Sequence, residues 1–204
     1  MSSPDTASPS GWRAFVFKNR GLLLLPSALV LVVFGQPTVL SAAIGIVIAA
    51  LGELLRVWAV GYSGVTTRSD VVTAPQLVTA GPYSFIRNPL YVGNAITALG
   101  FWIAFSGGIL PLASALMLAL IIVSVGYVYA TIIPLEEAYL VQTFGAAYRQ
   151  YLERVPPLIP AKGGLPVAER RGTWRGSVIV QAEIVSIVLF LLVTTAVLYK
   201  LVKA

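Results

Sequence analysis

Five apolar runs constrain this chain of 204 residues more than any other feature. The bilayer's hydrocarbon core is roughly 30 Å thick, so a helix needs about 20 consecutive apolar residues to cross it. We therefore predict an all-α integral membrane protein with about five transmembrane helices, of which spans 3 and 4 form a helical hairpin. The runs cover about residues 21–35, 39–62, 91–106, 109–133 and 178–199.

The first run follows a basic stretch, as it would in a signal peptide. No small-residue cleavage site follows it, and further spans come later in the chain. We therefore predict an uncleaved first span.

The order of polar and apolar stretches divides the chain into four parts. Residues 1–20 are predicted to be a disordered, basic N-terminal tail, and 21–62 the first two spans. Residues 63–160 contain a polar stretch, spans 3 and 4 and an acidic segment, and form the predicted functional core. Residues 161–204 form a basic linker and the fifth span.

The positions of the basic residues predict the orientation, because cytosolic loops carry an excess of Lys and Arg. With a cytosolic N-terminus, 11 of the 14 Lys and Arg residues fall on the cytosolic side. These are Arg13, Lys18, Arg20, Arg68, Arg87, Arg149, Arg154, Lys162, Arg170, Arg171 and Arg175. The same orientation puts the polar regions 63–90 and 134–176 in the cytosol.

Two absences limit the chemistry, since the chain has neither Cys nor His. Disulfides, thiol nucleophiles and zinc sites with Cys or His ligands are excluded. The usual general base at neutral pH is missing too. Any proton transfer would therefore fall to Glu, Asp, Tyr or Lys, unless the reaction needs none.

Glu53 and Arg56 are ionisable residues within the second run, three positions apart on one helical face. Such residues usually face the protein interior or a water-filled cavity. A functional pair and a purely structural ion pair both fit this pattern.

A second constellation is the stretch "LVTAGPYSFIRNPLYVGN", residues 77–94. Pro82 and Pro89 lack an N–H and disfavour helix in the preceding residue, which predicts a bent, non-helical entry to span 3 over residues 81–89. Irregular backbone at membrane depth suits a polar ligand. An interfacial loop with a tyrosine belt and a positive-inside arginine is the alternative.

A third constellation is "PLEEAYLVQTFGAAYRQYLERVPPLIP", residues 134–160. Pro134 is expected to end the fourth span, with Glu136 and Glu137 at the start of the next helix. Acidic residues favour helix N-termini, which is the structural explanation of the pair. Two carboxylates at the cytosolic end of a span equally fit a functional site.

Together these stretches resemble the membrane methyltransferases that include isoprenylcysteine carboxyl methyltransferases and phospholipid N-methyltransferases. The shared pattern is GPY, an Arg-x-Pro, then Tyr and Gly, followed after a two-span hairpin by a Glu-Glu pair, Phe-Gly, spaced tyrosines and a final "IP". "GELLRVWAVGY" is similar to the family's second helix. The resemblance covers roughly residues 45–160.

The resemblance implies S-adenosylmethionine as methyl donor, S-adenosylhomocysteine as product, and 63–160 as a methyltransferase core. It also implies a lipid or lipidated substrate that enters from the bilayer; we expect no nucleic-acid partner and no metal. Glu137, Arg154, Glu53 and Arg56 are the implied catalytic residues. The implied cofactor-binding residues are Gly81, Pro82, Tyr83, Arg87, Asn88, Pro89, Tyr91, Gly93, Glu136 and Glu137.

Within this resemblance, Arg87 would meet the carboxylate of the methionine part of the donor. Two positions depart from the family pattern. Asn88 replaces the family's His and cannot titrate, and Pro156–Pro157 stands where many relatives carry a basic residue. Arg154 is the candidate substitute for that residue.

Three functions remain open from the sequence. O-methylation of a lipid or lipidated carboxylate is the first, because a carboxylate is already nucleophilic and needs no base. Phospholipid headgroup N-methylation is the second, and a catalytically silent lipid-binding or interaction protein is the third. Glu183, in the fifth span, has three possible placements: lining the site, pairing with Arg175, or lying at the membrane interface.

Overall fold

The computed structural model of the chain describes residues 11–64, 74–160 and 162–203. Seven α-helices and three short 3₁₀ turns lie in these ranges, and no strand occurs there. The α-helices are α1 Trp12–Lys18, α2 Arg20–Phe34, α3 Val39–Ser63, α4 Pro89–Ser106, α5 Pro111–Phe144, α6 Ala146–Arg154 and α7 Ile179–Lys203. The 3₁₀ turns are Gly81–Ser84, Val167–Glu169 and Gly176–Val178.

Four of these helices, α3, α4, α5 and α7, are long and apolar enough to cross a bilayer. A fifth span exists if α1 and α2, which meet at an angle of 63°, are counted as one broken span. The protein is thus an all-α, multi-pass membrane protein, as predicted. The predicted first span, about residues 21–35, corresponds to α2, which counts as a span only together with α1.

The N-terminal segment differs from the predicted tail of residues 1–20. Residues 1–10 of that tail lie outside the described ranges. Helix α1 falls within it, and its Val16 and Phe17 are buried against the apolar face of α5 that includes Val128 and Ile132. Residues 12–18 are therefore helical rather than disordered, because this stretch has an apolar face to bury.

Helices α3 and α4 form the closest helix pair in the described structure, and small residues explain their approach. A Cβ added to Gly45 would lie 2.3 Å from the Ala104 nitrogen, and one added to Gly100 would lie 2.3 Å from the Ala49 nitrogen. In a bilayer, helices associate by close van der Waals packing, which such residues permit. The pair brings Arg56 on α3 beside Asn94 on α4.

Helix α5 corrects one prediction, because it does not end at Pro134. It continues through this residue to Phe144. Proline removes one intrahelical hydrogen bond, but neighbouring structure can satisfy the freed carbonyl in membrane helices. As a result, Glu136 and Glu137 lie inside a continuous helix rather than at the start of a new one.

The linker before α7 packs onto the segment before α4. Leu165 donates its N–H to the Ser84 carbonyl at 2.9 Å, and the Thr79 hydroxyl donates to the Glu169 carbonyl at 2.9 Å. Arg175 donates its N–H to the Gly61 carbonyl at 2.8 Å. These bonds fix the start of α7 beside the end of α3.

Candidate functional site

The bent entry to α4 begins with the 3₁₀ turn Gly81–Ser84 and ends where Pro89 starts the helix. Gly81 has φ +60°, and a Cβ there would lie 2.2 Å from the Tyr62 ring. Only glycine combines this backbone conformation with so close an aromatic neighbour. The prediction of a bent, non-helical entry over residues 81–89 is confirmed in part: 81–88 contain a 3₁₀ turn but no α-helix, whereas Pro89 already begins α4. This segment faces the acidic end of α5.

Arg87 joins this entry segment to α5 and α6. Its Nε donates to Glu137 Oε1 at 2.8 Å. Its Nη1 donates to the carbonyls of Leu152 and Val155 at 3.1 and 2.5 Å, at the end of α6. These bonds occupy Nε and Nη1 of Arg87, and the role of this residue toward the donor's carboxylate stays a prediction.

Tyr91, in the first turn of α4, and Glu136 make a second link to α5, next to that of Arg87. The Tyr91 hydroxyl donates to Glu136 Oε1 at 2.7 Å. Both glutamates of the pair, though adjacent in sequence, thus contact the stretch that carries Arg87 and Tyr91. A short hydrogen bond to a carboxylate is among the stronger ones in proteins.

Asn88 contacts the Pro156–Pro157 segment, so the two departures from the family pattern lie side by side in the fold. The Asn88 backbone N–H and its side-chain Nδ2 both donate to the Pro157 carbonyl at 3.2 Å. The Arg87 N–H donates to the Pro156 carbonyl at 2.9 Å. The two prolines therefore supply acceptors that hold the entry segment in place, a role that sequence reasoning missed.

Three tyrosines lie together beside this junction. The Tyr151 hydroxyl donates to the Tyr83 carbonyl at 2.7 Å, and the rings of Tyr148 and Tyr151 lie 5.7 Å apart. Burial raises the pKa of all three phenols above the ordinary value. They are therefore neutral at physiological pH and offer aromatic faces rather than proton acceptors.

A second polar cluster surrounds Arg56 inside the membrane-spanning region. Nη2 donates to Glu183 Oε1 and Oε2 at 2.8 and 2.7 Å and to the Ser186 hydroxyl at 2.9 Å. Nη1 donates to Asn94 Oδ1. The predicted pairing with Glu53 is present but longer, at 3.7 Å from Arg56 Nε.

Glu183 is fully buried, which decides among its three possible placements. It pairs with Arg56 rather than with Arg175, and α7 supplies it to the interior rather than to the interface. The residues are 127 positions apart, so no local pattern in the sequence indicates their contact.

The two clusters adjoin each other along α4. Tyr91 donates to Glu136, and Asn94, three residues further along the same helix face, accepts from Arg56. The ring of Tyr129 lies 4.6 Å from that of Tyr91. The Glu136–Glu137 cluster and the Arg56 cluster therefore border one region.

Two predicted site residues take other positions. Arg154 lies half-exposed on α6, where its side chain pairs with Glu169 rather than with either cluster. Gly93 is buried against α3, since a Cβ there would lie 2.6 Å from Arg56 Cγ. No group of three His, Cys, Asp or Glu side chains that could hold a metal ion occurs in the described ranges.

Comparison with known proteins places these features in a family. The model of the phospholipid methyltransferase family matches residues 40–147. A protein-S-isoprenylcysteine O-methyltransferase of Schizosaccharomyces pombe is 34% identical over 159 residues, covering 74% of this chain and 62% of that protein. An Arabidopsis thaliana protein-S-isoprenylcysteine O-methyltransferase B is 32% identical over 120 residues, covering 57% of each chain.

A methanethiol S-methyltransferase 1 of Bradyrhizobium diazoefficiens is 38% identical over 88 residues, which are 43% of this chain and 27% of that protein. The chain thus spans less than two thirds of the length of these relatives. The family match contains both Glu136 and Glu137 as well as the whole entry segment. The chain belongs to the phospholipid methyltransferase family.

Proposed function

We propose that this protein is an S-adenosylmethionine-dependent membrane methyltransferase. The observation that carries the proposal is the junction of the entry segment with α5. There, Arg87 bonds Glu137, 50 positions away, and Tyr91 bonds Glu136, 45 positions away. All four residues lie within the region that the family model matches. All four are also among those that the family resemblance implies for binding the methyl donor.

The side chains at this junction fit the chemistry of S-adenosylmethionine, the methyl donor. Carboxylate oxygens of Glu136 and Glu137 can accept from ribose hydroxyls or from the α-ammonium group. Neutral, buried tyrosine rings such as Tyr83 can face a sulfonium cation. When bound, the donor supplies an electrophilic methyl group, and the protein's contribution is to hold the reactants in line and exclude water.

Arg87 has a positioning role in this proposal. Its bonds to Glu137 and to two carbonyls of α6 lock the entry segment, α5 and α6 together. Bonds from a guanidinium to three acceptors restrict both the arginine and the carboxylate to one arrangement. These bonds hold the Glu137 carboxylate in place whether or not the methyl donor is bound.

For the acceptor, we favour the carboxylate of a lipid or prenylated cysteine. Two of the relatives described above are named protein-S-isoprenylcysteine O-methyltransferases. A carboxylate attacks without losing a proton, which suits a chain with no His. The site would lie on the cytosolic side together with the N-terminus, an orientation that the distribution of basic residues supports.

A phospholipid amine headgroup is the second candidate, and the second carboxylate of the Arg56 cluster favours it. Glu183 is committed to Arg56, whereas Glu53 lies at a longer distance from it and lines the cleft beside it. An amine acceptor would also need a base, and Glu53, Glu136 or Glu137 would supply it.

Two measurements test the proposal. Calorimetry of purified protein should show S-adenosylhomocysteine binding that Glu137→Gln weakens at least tenfold and Glu153→Gln, an exposed carboxylate on α6, leaves unchanged. Absence of binding to well-folded wild-type protein would refute the donor. Membranes incubated with methyl-labelled donor should then carry label in base-labile esters; label in stable amines would establish the second candidate instead.

A further inference from the structure

Helix α7 contributes to the interior of the protein although it lies outside the region that the family model matches. That match ends at residue 147, whereas α7 runs over Ile179–Lys203. The helix nevertheless supplies Glu183 and Ser186, two of the partners that hold the Arg56 guanidinium. A membrane helix that brings a buried carboxylate to a buried arginine marks a functional position more often than a packing one.

A cleft of about 160 Å³ lies between α3, α4 and α7 at this point. Its lining changes character along its length. One end is polar and carries both charges of the lining, Glu53 and Arg56, beside Asn94 and Ser186. The other end is apolar, with Phe101, Leu189 and Val193. The cleft thus has the polarity of an amphiphile with one polar end and one hydrocarbon chain.

The direction of the cleft follows from the course of its walls. Helices α4 and α7 both begin at the membrane side that carries the entry segment and the basic linker. Along α4, seven residues separate Asn94 from Phe101, which is about 10 Å at 1.5 Å per residue. The apolar end therefore points toward the bilayer centre, and the polar end lies level with the Arg56 cluster.

Arg56 keeps 11% of its side chain exposed and lines the cleft. Nη2 is committed to Glu183 and Ser186, and Nη1 to Asn94. Nε is buried, makes no hydrogen bond within the described part of the chain and pairs with Glu53, whose Oε2 lies 3.7 Å away. A buried guanidinium N–H without an acceptor is costly unless something polar meets it.

We propose that α7 completes the binding site of the methyl acceptor. Glu183 and Ser186 act as positioning residues that orient Arg56 toward an oxygen at the polar end of the acceptor. Leu189, Phe190 and Val193 support the first part of its single hydrocarbon chain. This inference rests on the proposed function, because it identifies the acceptor as an amphiphile that lies in the bilayer beside the donor site.

The polar end is tested with Ser186→Ala and Ser186→Thr. Loss of the hydroxyl should raise the KM for an S-farnesyl cysteine acceptor about tenfold, in line with the loss of one hydrogen bond to a charged group. The KM for the methyl donor should stay unchanged, and threonine should restore the acceptor KM. Equal changes in both KM values, or no rescue by threonine, would overturn the positioning role.

The apolar end is tested by photolabelling, which needs no turnover. A diazirine-bearing S-farnesyl cysteine analogue should label α4 and α7 peptides that line the cleft. Leu189→Trp should reduce this labelling at least fivefold, whereas Leu191→Trp, a similarly exposed position on another face of α7, should not. Labelling spread over all bilayer-facing helices, or equal in both variants, would refute the cleft.

Photolabelling also separates this proposal from the proposed function. Wild-type protein that transfers no methyl group to any tested acceptor would count against the proposed function. The labelling pattern would still decide, by itself, whether the cleft binds the amphiphile.

Discussion

Arg87→Ala should destabilise the protein far more than Arg154→Ala, although each removes an arginine that pairs with one glutamate. Arg87 has an 11% exposed side chain and bonds Glu137 and two backbone carbonyls. Removing one partner of a buried ion pair costs about 3–5 kcal/mol. Because Glu137 keeps 22% exposure and some contact with solvent, we expect the lower part of that range, about 3–4 kcal/mol.

Arg154 provides a matched control. It and Glu169 are both 46% exposed, and exposed pairs contribute about 0–1 kcal/mol. For a chain of this size, 1 kcal/mol shifts the melting temperature by roughly 2–4 °C. Arg87→Ala should therefore lower Tm by roughly 6–16 °C, and Arg154→Ala by no more than about 4 °C.

Thermal unfolding in detergent, followed by the fluorescence of the four tryptophans, measures this difference. Arg87→Lys should recover only a minor part of the loss, because an ammonium cannot reach Glu137 and two carbonyls in the same fork geometry. A Tm for Arg87→Ala within 2 °C or so of that for Arg154→Ala would refute the assignment of Arg87 as the link between α4, α5 and α6.

Two further predictions concern the neighbours of this link. Tyr91→Phe removes the 2.7 Å bond to Glu136 and should weaken S-adenosylhomocysteine binding about 5- to 150-fold by calorimetry, since a carboxylate loses its donor at a cost of about 1–3 kcal/mol; unchanged affinity would exclude Glu136 from the donor site. Gly93→Ala should lower Tm by roughly 2–12 °C, because its Cβ would lie 2.6 Å from Arg56 Cγ and 2.8 Å from the Gly52 carbonyl and overpacking costs about 1–3 kcal/mol. Gly126→Ala, with nothing within 4 Å of the added Cβ, should not lower Tm, and an equal loss in both variants would contradict the packing argument.

Local features of the chain predicted much of the fold. The apolar runs placed α3, α4, α5 and α7 close to their observed positions, because crossing a bilayer requires a length of apolar sequence that can be read directly. Pro82 and Pro89 likewise predicted the bent entry to α4, since their effect on the backbone is confined to adjacent residues. The Pro134 prediction failed because the consequence of a proline depends on the neighbouring helices, which can satisfy the freed carbonyl.

The candidate site was predicted in part. The entry segment and the glutamate pair were both identified from their motifs, and the structure brings them together through Arg87 and Tyr91. Their individual partners were not predictable. Arg87 donates to the Val155 carbonyl at the end of α6, and Asn88 donates to the Pro157 carbonyl. Every residue has a backbone carbonyl, so the residue types at these positions do not indicate the contacts.

The sequence by itself determined that this is a multi-pass helical membrane protein with a family-specific pair of polar segments. These properties depend on hydropathy and on motifs within a few tens of residues. Only the tertiary structure decided that Arg56 pairs with Glu183, and that α7 closes a cleft with a polar and an apolar end. The physical reason is that a buried charge is stabilised by whichever partner the helix packing brings within reach, and that partner lies 127 residues away.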